Sequence, residues 1–213
     1  MLGGKPLLEY TVESALKSKL IDSLILTTDD QEIAEVGEQL GLEVPFIRPP
    51  ELANDTAKSI DVIIHSISFL EAVGRCFDAV CLLQPTSPFR TPETIDRCIQ
   101  EFYDFDLDTA MTVLKIPDEH NPEWAYREQE GGNLGLFNGQ NEPLSRRQLL
   151  PSAYFREGSV YVIKRDTLII DRTLYGAKVR GIEVDSARSV NLDTMEDWFK
   201  AEKILETLTE QKY

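Results

Sequence analysis

The stretch from Phe77 to Leu83, followed at once by Gln84-Pro85-Thr86-Ser87-Pro88-Phe89-Arg90, limits the possible folds more than any other part of the chain. The apolar run reads as a buried strand, and the two prolines forbid its continuation. Thr91-Pro92-Glu93-Thr94 then sets a capping hydroxyl ahead of a proline at the first helical position. A buried strand, a stiff polar loop and a helix in succession form the layout in which open α/β sheets bind ligands beyond their strand ends.

The rest of the chain keeps the same rhythm. Leu7, Leu8, Val12, Ala15 and Leu16 recur at helical spacing and predict an amphipathic helix over about 6–19. Leu24-Ile25-Leu26 predicts a short strand, Thr28-Asp29-Asp30 a cap for a helix ending near Gly41, and Val44 to Ile47 a second short strand. A helix over about 56–73 precedes the Phe77–Leu83 strand, and a strand over Ala110–Ile116 follows the helix from Pro92. After Pro117, Trp124–Arg127 and Leu134–Phe137 flank Gly131-Gly132 as a β-hairpin. Ser159–Ile163 and Val179–Val184 return to the sheet, and a helix from about Thr194 closes the chain. Helices alternating with short apolar strands predict a three-layer αβα, Rossmann-like fold with a mostly parallel sheet. The 213 residues are expected to form one domain, with 117–155 as a projecting excursion.

Composition removes several functions. A net charge of −15 leaves no basic face for DNA or RNA, although a few arginines in a cleft can still attract small anions. No apolar run reaches the roughly 20 residues of a membrane span, and the N-terminus has no signal-peptide layout. Cys76, Cys81 and Cys98 are odd in number, lack metal spacing and read as reduced thiols of a cytoplasmic protein. His65 and His120 show no zinc pattern, and neither a G-x-S-x-G elbow nor a G-x-G-x-x-G fingerprint occurs.

Four blocks carry the candidate chemistry. In Arg48-Pro49-Pro50-Glu51-Leu52-Ala53-Asn54-Asp55-Thr56-Ala57-Lys58-Ser59, a guanidinium at a strand end can reach phosphate or carbonyl oxygens, and a helix-start hydroxyl can meet a base edge. In Leu82-Leu83-Gln84-Pro85-Thr86-Ser87-Pro88-Phe89-Arg90, the Gln84 amide both donates and accepts, while Arg90 reads as a loop anchor. Arg147-Gln148-Leu149-Leu150-Pro151 precedes Gly158-Ser159-Val160-Tyr161, and Ser189-Val190-Asn191-Leu192-Asp193-Thr194 precedes the last helix. Plain structural roles fit the same residues: a surface Arg48, a helix-start Ser59, a strand-end Gln84, a core aromatic at Tyr161, and an Asp193-x-x-Glu196 capping box.

Together these blocks resemble the CMP-sialic acid synthetases (acylneuraminate cytidylyltransferases) along nearly the whole chain. The resemblance implies a nucleotidyltransferase that joins CTP to a nonulosonic acid of the sialic type, releasing pyrophosphate, in sugar-nucleotide biosynthesis. It assigns the cytidine nucleotide to Arg48 and Ser59, and the sugar acid to Leu82, Gln84, Arg147 and Tyr161. It makes Asp193 the catalytic carboxylate and Mg2+ ligand, with Asn191 where the family has a second Asp. It also implies a cytoplasmic homodimer whose excursion reaches its twin. Glu157 stands where the family often has Asn, and a carboxylate there would repel an acidic substrate unless it turned away or paired with Arg156. The family opens on a strand and an Arg/Ser/Gly/Lys loop, whereas this chain opens on the first helix. Two expectations follow: a start placed too late, or lost machinery and weak turnover. Related readings are a transferase for legionaminic, pseudaminic or octulosonic acid, and a truncated, non-catalytic binding protein.

Overall fold

Thr91 caps α4 (Pro92–Asp104) as the sequence predicts: its hydroxyl accepts from the Thr94 N–H at 3.2 Å, and Pro92 occupies the first turn. The computed structural model describes residues 1–210. Helices α1 (Leu7–Leu16), α2 (Gln31–Gln39) and α3 (Ser59–Ala72) precede β1 (Ala79–Leu83). After α4 come β2 (Thr109–Lys115), a small hairpin of β3 (Tyr126–Glu128) and β4 (Leu134–Leu136), and the long β5 (Tyr154–Lys164). The chain continues through α5 (Arg165–Ile169) and β6 (Val179–Glu183) to α6 (Met195–Glu210).

The main sheet has the order β1-β5-β2-β6. β5 runs antiparallel to both β1 and β2, and β2 runs parallel to β6, so three strands share one direction and β5 opposes them. The reversal follows from the excursion. It leaves at the end of β2 and comes back beside it, with the Ile116 N–H donating to the Ala153 C=O at 2.8 Å, and adjacent antiparallel strands need no crossover helix.

Helices cover both faces of the sheet. Ile63 and Ile67 of α3 pack with Tyr161, Ile163 and Leu168 on one face. On the other, Ile95, Cys98, Ile99 and Phe102 of α4 meet Ala110, Val160, Val162 and Ile182. Each fully buried aliphatic side chain contributes roughly 2 kcal/mol. A third cluster joins Leu2, Phe89, Val190 and Ala201 near Tyr10 and Trp198, and fastens α6 to the N-terminal residues. Among the described residues no helix is long and apolar enough to cross a membrane.

Two expected elements fall short of strands. Segments 24–28 and 43–48 are joined by a single parallel bridge, Ile25 to Glu43, and do not enter the main sheet. α5 is an element the sequence did not announce: it is five residues long, without a side-chain cap, and held by the fully buried Leu168.

Candidate active site

The loop after β1 is held rigidly from below. Arg90 is only 8% exposed and donates to the Ser159 C=O at 2.9 Å, to the Thr11 hydroxyl at 2.7 Å and to the Gln84 C=O. Burial brings its pKa down to about 10, so the guanidinium stays charged at neutral pH. One side chain thus ties the loop to β5 and α1, the anchoring role read from the sequence.

Above this anchor lies a cavity of about 420 Å³ whose lining includes Leu82, Gln84, Arg48 and Ser59. Leu82 pairs directly with Tyr161 across the β1–β5 ladder, so both side chains are on the α3 face. Gln84 is the next residue with the same orientation by the alternation of a strand. Tyr161 itself is only 4% exposed and packs against α3 beneath the cleft rather than in its lining, with burial raising its phenol pKa.

Arg48 reaches Asp29, donating from Nη2 to Oδ1 at 2.8 Å, and holds that carboxyl below its usual range. Its Nε–H is buried and has no partner among the described residues, as is the case for the hydroxyls of Thr27, Thr86 and Ser87. Buried polar groups are nearly always satisfied. Thr27 and Arg48 both line the large cavity, so two of these donors face a space that a ligand can fill, while Ser87 lines the smaller cavity of about 280 Å³. Thr27, Thr86 and Ser87 escaped the sequence reading, although they stand in the Thr27-Thr28-Asp29-Asp30 and Gln84–Pro88 strings at strand ends. Ser59 is the exposed first residue of α3, where free backbone N–H groups point outward.

The segment carrying Asn191 and Asp193 is bonded to the same loop, with the Leu192 N–H donating to the Thr86 C=O at 2.9 Å. Asn191 Nδ2 donates to Asp193 Oδ2 at 2.6 Å, and both residues are exposed. The expected Asp193–Glu196 capping box is replaced by one a residue later. Thr194 Oγ1 accepts from the Asp197 N–H at 3.2 Å, and Asp197 Oδ2 accepts from the Thr194 N–H at 2.9 Å. Asp193 is therefore free of cap duty. Thr194→Ala should cost about 1 kcal/mol of stability in urea unfolding, while Asp193→Ala should cost well under half of that. Equal losses would return the cap to Asp193.

Glu157 turns away from the cleft, but not towards Arg156. Its Oε2 accepts from the Ser159 N–H at 3.0 Å and its Oε1 from the Ser189 hydroxyl at 3.0 Å. It lines a separate cavity of about 280 Å³ with Arg90 and Arg188. Gly158, at φ +94°, supplies a left-handed turn opposite the register shift between Met111 and Val113 that lets the carboxylate point there. Arg147, on the excursion, is exposed and pairs with Asp118 at 3.5 Å, away from the lining of the large cavity.

The donor set is suited to a hard cation held mainly by a ligand. Among the described residues no group of three His, Cys, Asp or Glu side chains is placed to bind a metal alone. Asp193 and Asn191 offer one carboxylate and one amide oxygen, the kind of sparse set Mg2+ uses when phosphates supply the remaining oxygens.

Comparison with known proteins agrees with this geometry. The cytidylyltransferase family profile matches residues 1–180. The CMP-N,N'-diacetyllegionaminic acid synthase of Legionella pneumophila is 31% identical over 211 residues, covering 97% of this chain and 88% of its own. The N-acylneuraminate cytidylyltransferase of Escherichia coli O18:K1:H7 is 27% identical across 100% of this chain and 49% of its own. Among solved structures, a CMP:2-keto-3-deoxy-manno-octonic acid synthetase complexed with CTP superposes with a TM-score of 0.69 at 17% identity, covering 97% of this chain and 90% of the other. A strand-end cleft with unpaired donors and a matching family profile lead to one conclusion: the chain belongs to the cytidylyltransferase family.

Proposed function

We propose that this chain transfers a cytidylyl group from CTP to a nonulosonic acid. The anomeric hydroxyl attacks the α-phosphorus, the bond to pyrophosphate breaks, and the hydroxyl proton is lost to solvent. The observation that carries this reading is that the unpaired buried donors Thr27 Oγ1 and Arg48 Nε line one cavity with Gln84 at the carboxyl end of β1.

Within that reading Arg48 Nε and the first turn of α3 at Ser59 meet the nucleotide, where helix N-terminal N–H groups favour anions. The Gln84 amide orients the sugar's hydroxyl and acyl groups, and Leu82 packs against its ring carbons. Asp193 and Asn191 would hold Mg2+ against the phosphates, and bound magnesium supplies charge neutralisation at the triphosphate. Arg147 would face the sugar carboxylate after leaving Asp118, the chemistry a bidentate arginine favours. Tyr161 acts from beneath, fixing the position of Leu82.

The sugar is proposed to be a nine-carbon acid of the sialic group, with a legionaminic acid favoured by the match over 97% of the chain to the synthase named for it. Incubation with CTP, Mg2+ and separate neuraminic, legionaminic, pseudaminic and octulosonic acids, followed by mass spectrometry, should give a CMP-sugar from a nonulosonic acid. A product from the octulosonic acid alone would overturn the assignment. The excursion exposes Tyr126, Leu134 and Phe137, and we assign this apolar edge to a homodimer contact. Sedimentation should give a dimer, reduced to monomer by Leu134→Lys with Phe137→Lys.

A further inference from the structure

Two adjacent residues of β5 point to opposite faces of the sheet. Glu157 turns to Ser159, Ser189 and the cavity on the α4 side. Arg156 turns to the α3 side, donating from Nη1 to the Tyr175 hydroxyl at 3.4 Å and touching the Tyr161 phenol. Tyr161 belongs to the cluster packed on α3, as does Leu174 next to Tyr175. Arg48 and Arg147 already hold Asp29 and Asp118. Arg156, although exposed, makes no ion pair among the described residues.

The strand register places this guanidinium beside the loop after β1. The last β1–β5 pair is Leu83 with Val160, and the two strands are antiparallel, so residues 154–159 run on past the carboxyl end of β1. Arg156 stands on that overhang, opposite Val113 of β2. Arg90 fastens the overhang to the loop by bonding both the Ser159 C=O and the Gln84 C=O. Gln84 and Arg156 therefore project from neighbouring strands, on the same face and at the same end. Gly158 leaves the space over Tyr161 open, since a Cβ there would stand 3.7 Å from the phenol oxygen.

The chemistry of the position selects its ligand. A chain of net charge −15 repels an acid unless a local cation reverses the field. A guanidinium flanked by phenols keeps its fork available, and a carboxylate matches that fork with two parallel N–H···O bonds. The triphosphate has a different place in the proposed function. Arg48 and Ser59 line the large cavity with residues of α1, α3 and β1, and among the described residues none of β5 joins them.

We propose that Arg156 binds the carboxylate of the sugar acid beside Gln84, with Tyr175 and Tyr161 steadying its guanidinium. The inference rests on the sugar-acid reading given above and adds to it the residue that selects an acid. Arg147 reaches the same group only after leaving Asp118, whereas Arg156 stands ready on the sheet.

The test is calorimetric titration of the 213-residue chain with a neuraminic and a legionaminic acid, each as the free acid and as its methyl ester. CMP in excess fills the nucleotide site without allowing transfer. Arg156→Ala should weaken binding of the free acid about 10- to 100-fold, the effect expected of a charged hydrogen-bonding fork on a carboxylate. CTP affinity, titrated separately, should not change. The ester has lost the charge, so it should bind parent and variant alike, at the weakened level. Equal affinity of parent and variant for the free acid would overturn the proposal. So would an equal loss on acid and ester, which would mark a steric role, or a parallel loss of CTP affinity, which would assign the guanidinium to phosphate. A parent that binds neither acid would refute the sugar-acid reading itself, and this assignment with it.

Discussion

Asp193→Ala should lower cytidylyl transfer by about 100-fold or more while leaving stability nearly unchanged. The carboxylate is exposed, and among the described residues it makes no cap bond and meets only the Asn191 amide, so little of the fold depends on it. A charge placed at the triphosphate has a large effect because the transferred group carries its negative charge into the transition state. Asn191→Asp should act in the opposite sense, lowering the magnesium concentration needed for half-maximal rate, since it adds a charged oxygen beside the first. Turnover equal to the parent in Asp193→Ala would remove the residue from the mechanism.

Arg90→Met should be the most damaging single change to the fold near the site, at about 3 kcal/mol. Methionine keeps much of the packing but leaves the Ser159 C=O and the Thr11 hydroxyl without their buried donor, at roughly 1–3 kcal/mol each. Release of the guanidinium from a site that already depresses its pKa to about 10 offsets part of that loss. The thermal midpoint should fall by about 6–12 °C. Arg90→Lys should recover only part, because one ammonium cannot reach three acceptors set out for a planar fork. The KM for the sugar should rise more than that for CTP, since Gln84 sits on the loop that Arg90 anchors. A loss under about 0.5 kcal/mol would show that the loop is held by other contacts.

Much of this arrangement is legible in the residue order. The Thr91-Pro92 helix start, the strand ending before Pro85 and the hairpin around Gly131-Gly132 follow from local chemistry that no tertiary contact overrides. The strands expected at 24–26 and 44–47 failed for a tertiary reason: strand formation needs neighbours, and segment 24–28 has one bridge to Glu43 and otherwise lines the 420 Å³ cavity. The cap of α6 was misplaced by one residue because Asp193 and Thr194 are both good capping residues, and sequence spacing alone does not choose between Glu196 and Asp197. Glu157 could not be oriented in advance, since its direction depends on Gly158 and on Ser189, 32 positions further along the chain. Buried, unpaired hydroxyls such as Thr86 and Ser87 become informative only once burial is known.

Phosphorus-31 NMR of CTP with a legionaminic or neuraminic acid and Mg2+, using the protein in molar excess over nucleotide, tests the central claim most directly. Single turnover in this regime registers even slow transfer. The account predicts a new phosphodiester resonance from the CMP-sugar and one pyrophosphate for each, with Gln84→Ala and Arg48→Ala both reducing the rate. Conversion of CTP to CDP and inorganic phosphate, or unchanged CTP in a sample that demonstrably binds it, would contradict cytidylyl transfer by this site.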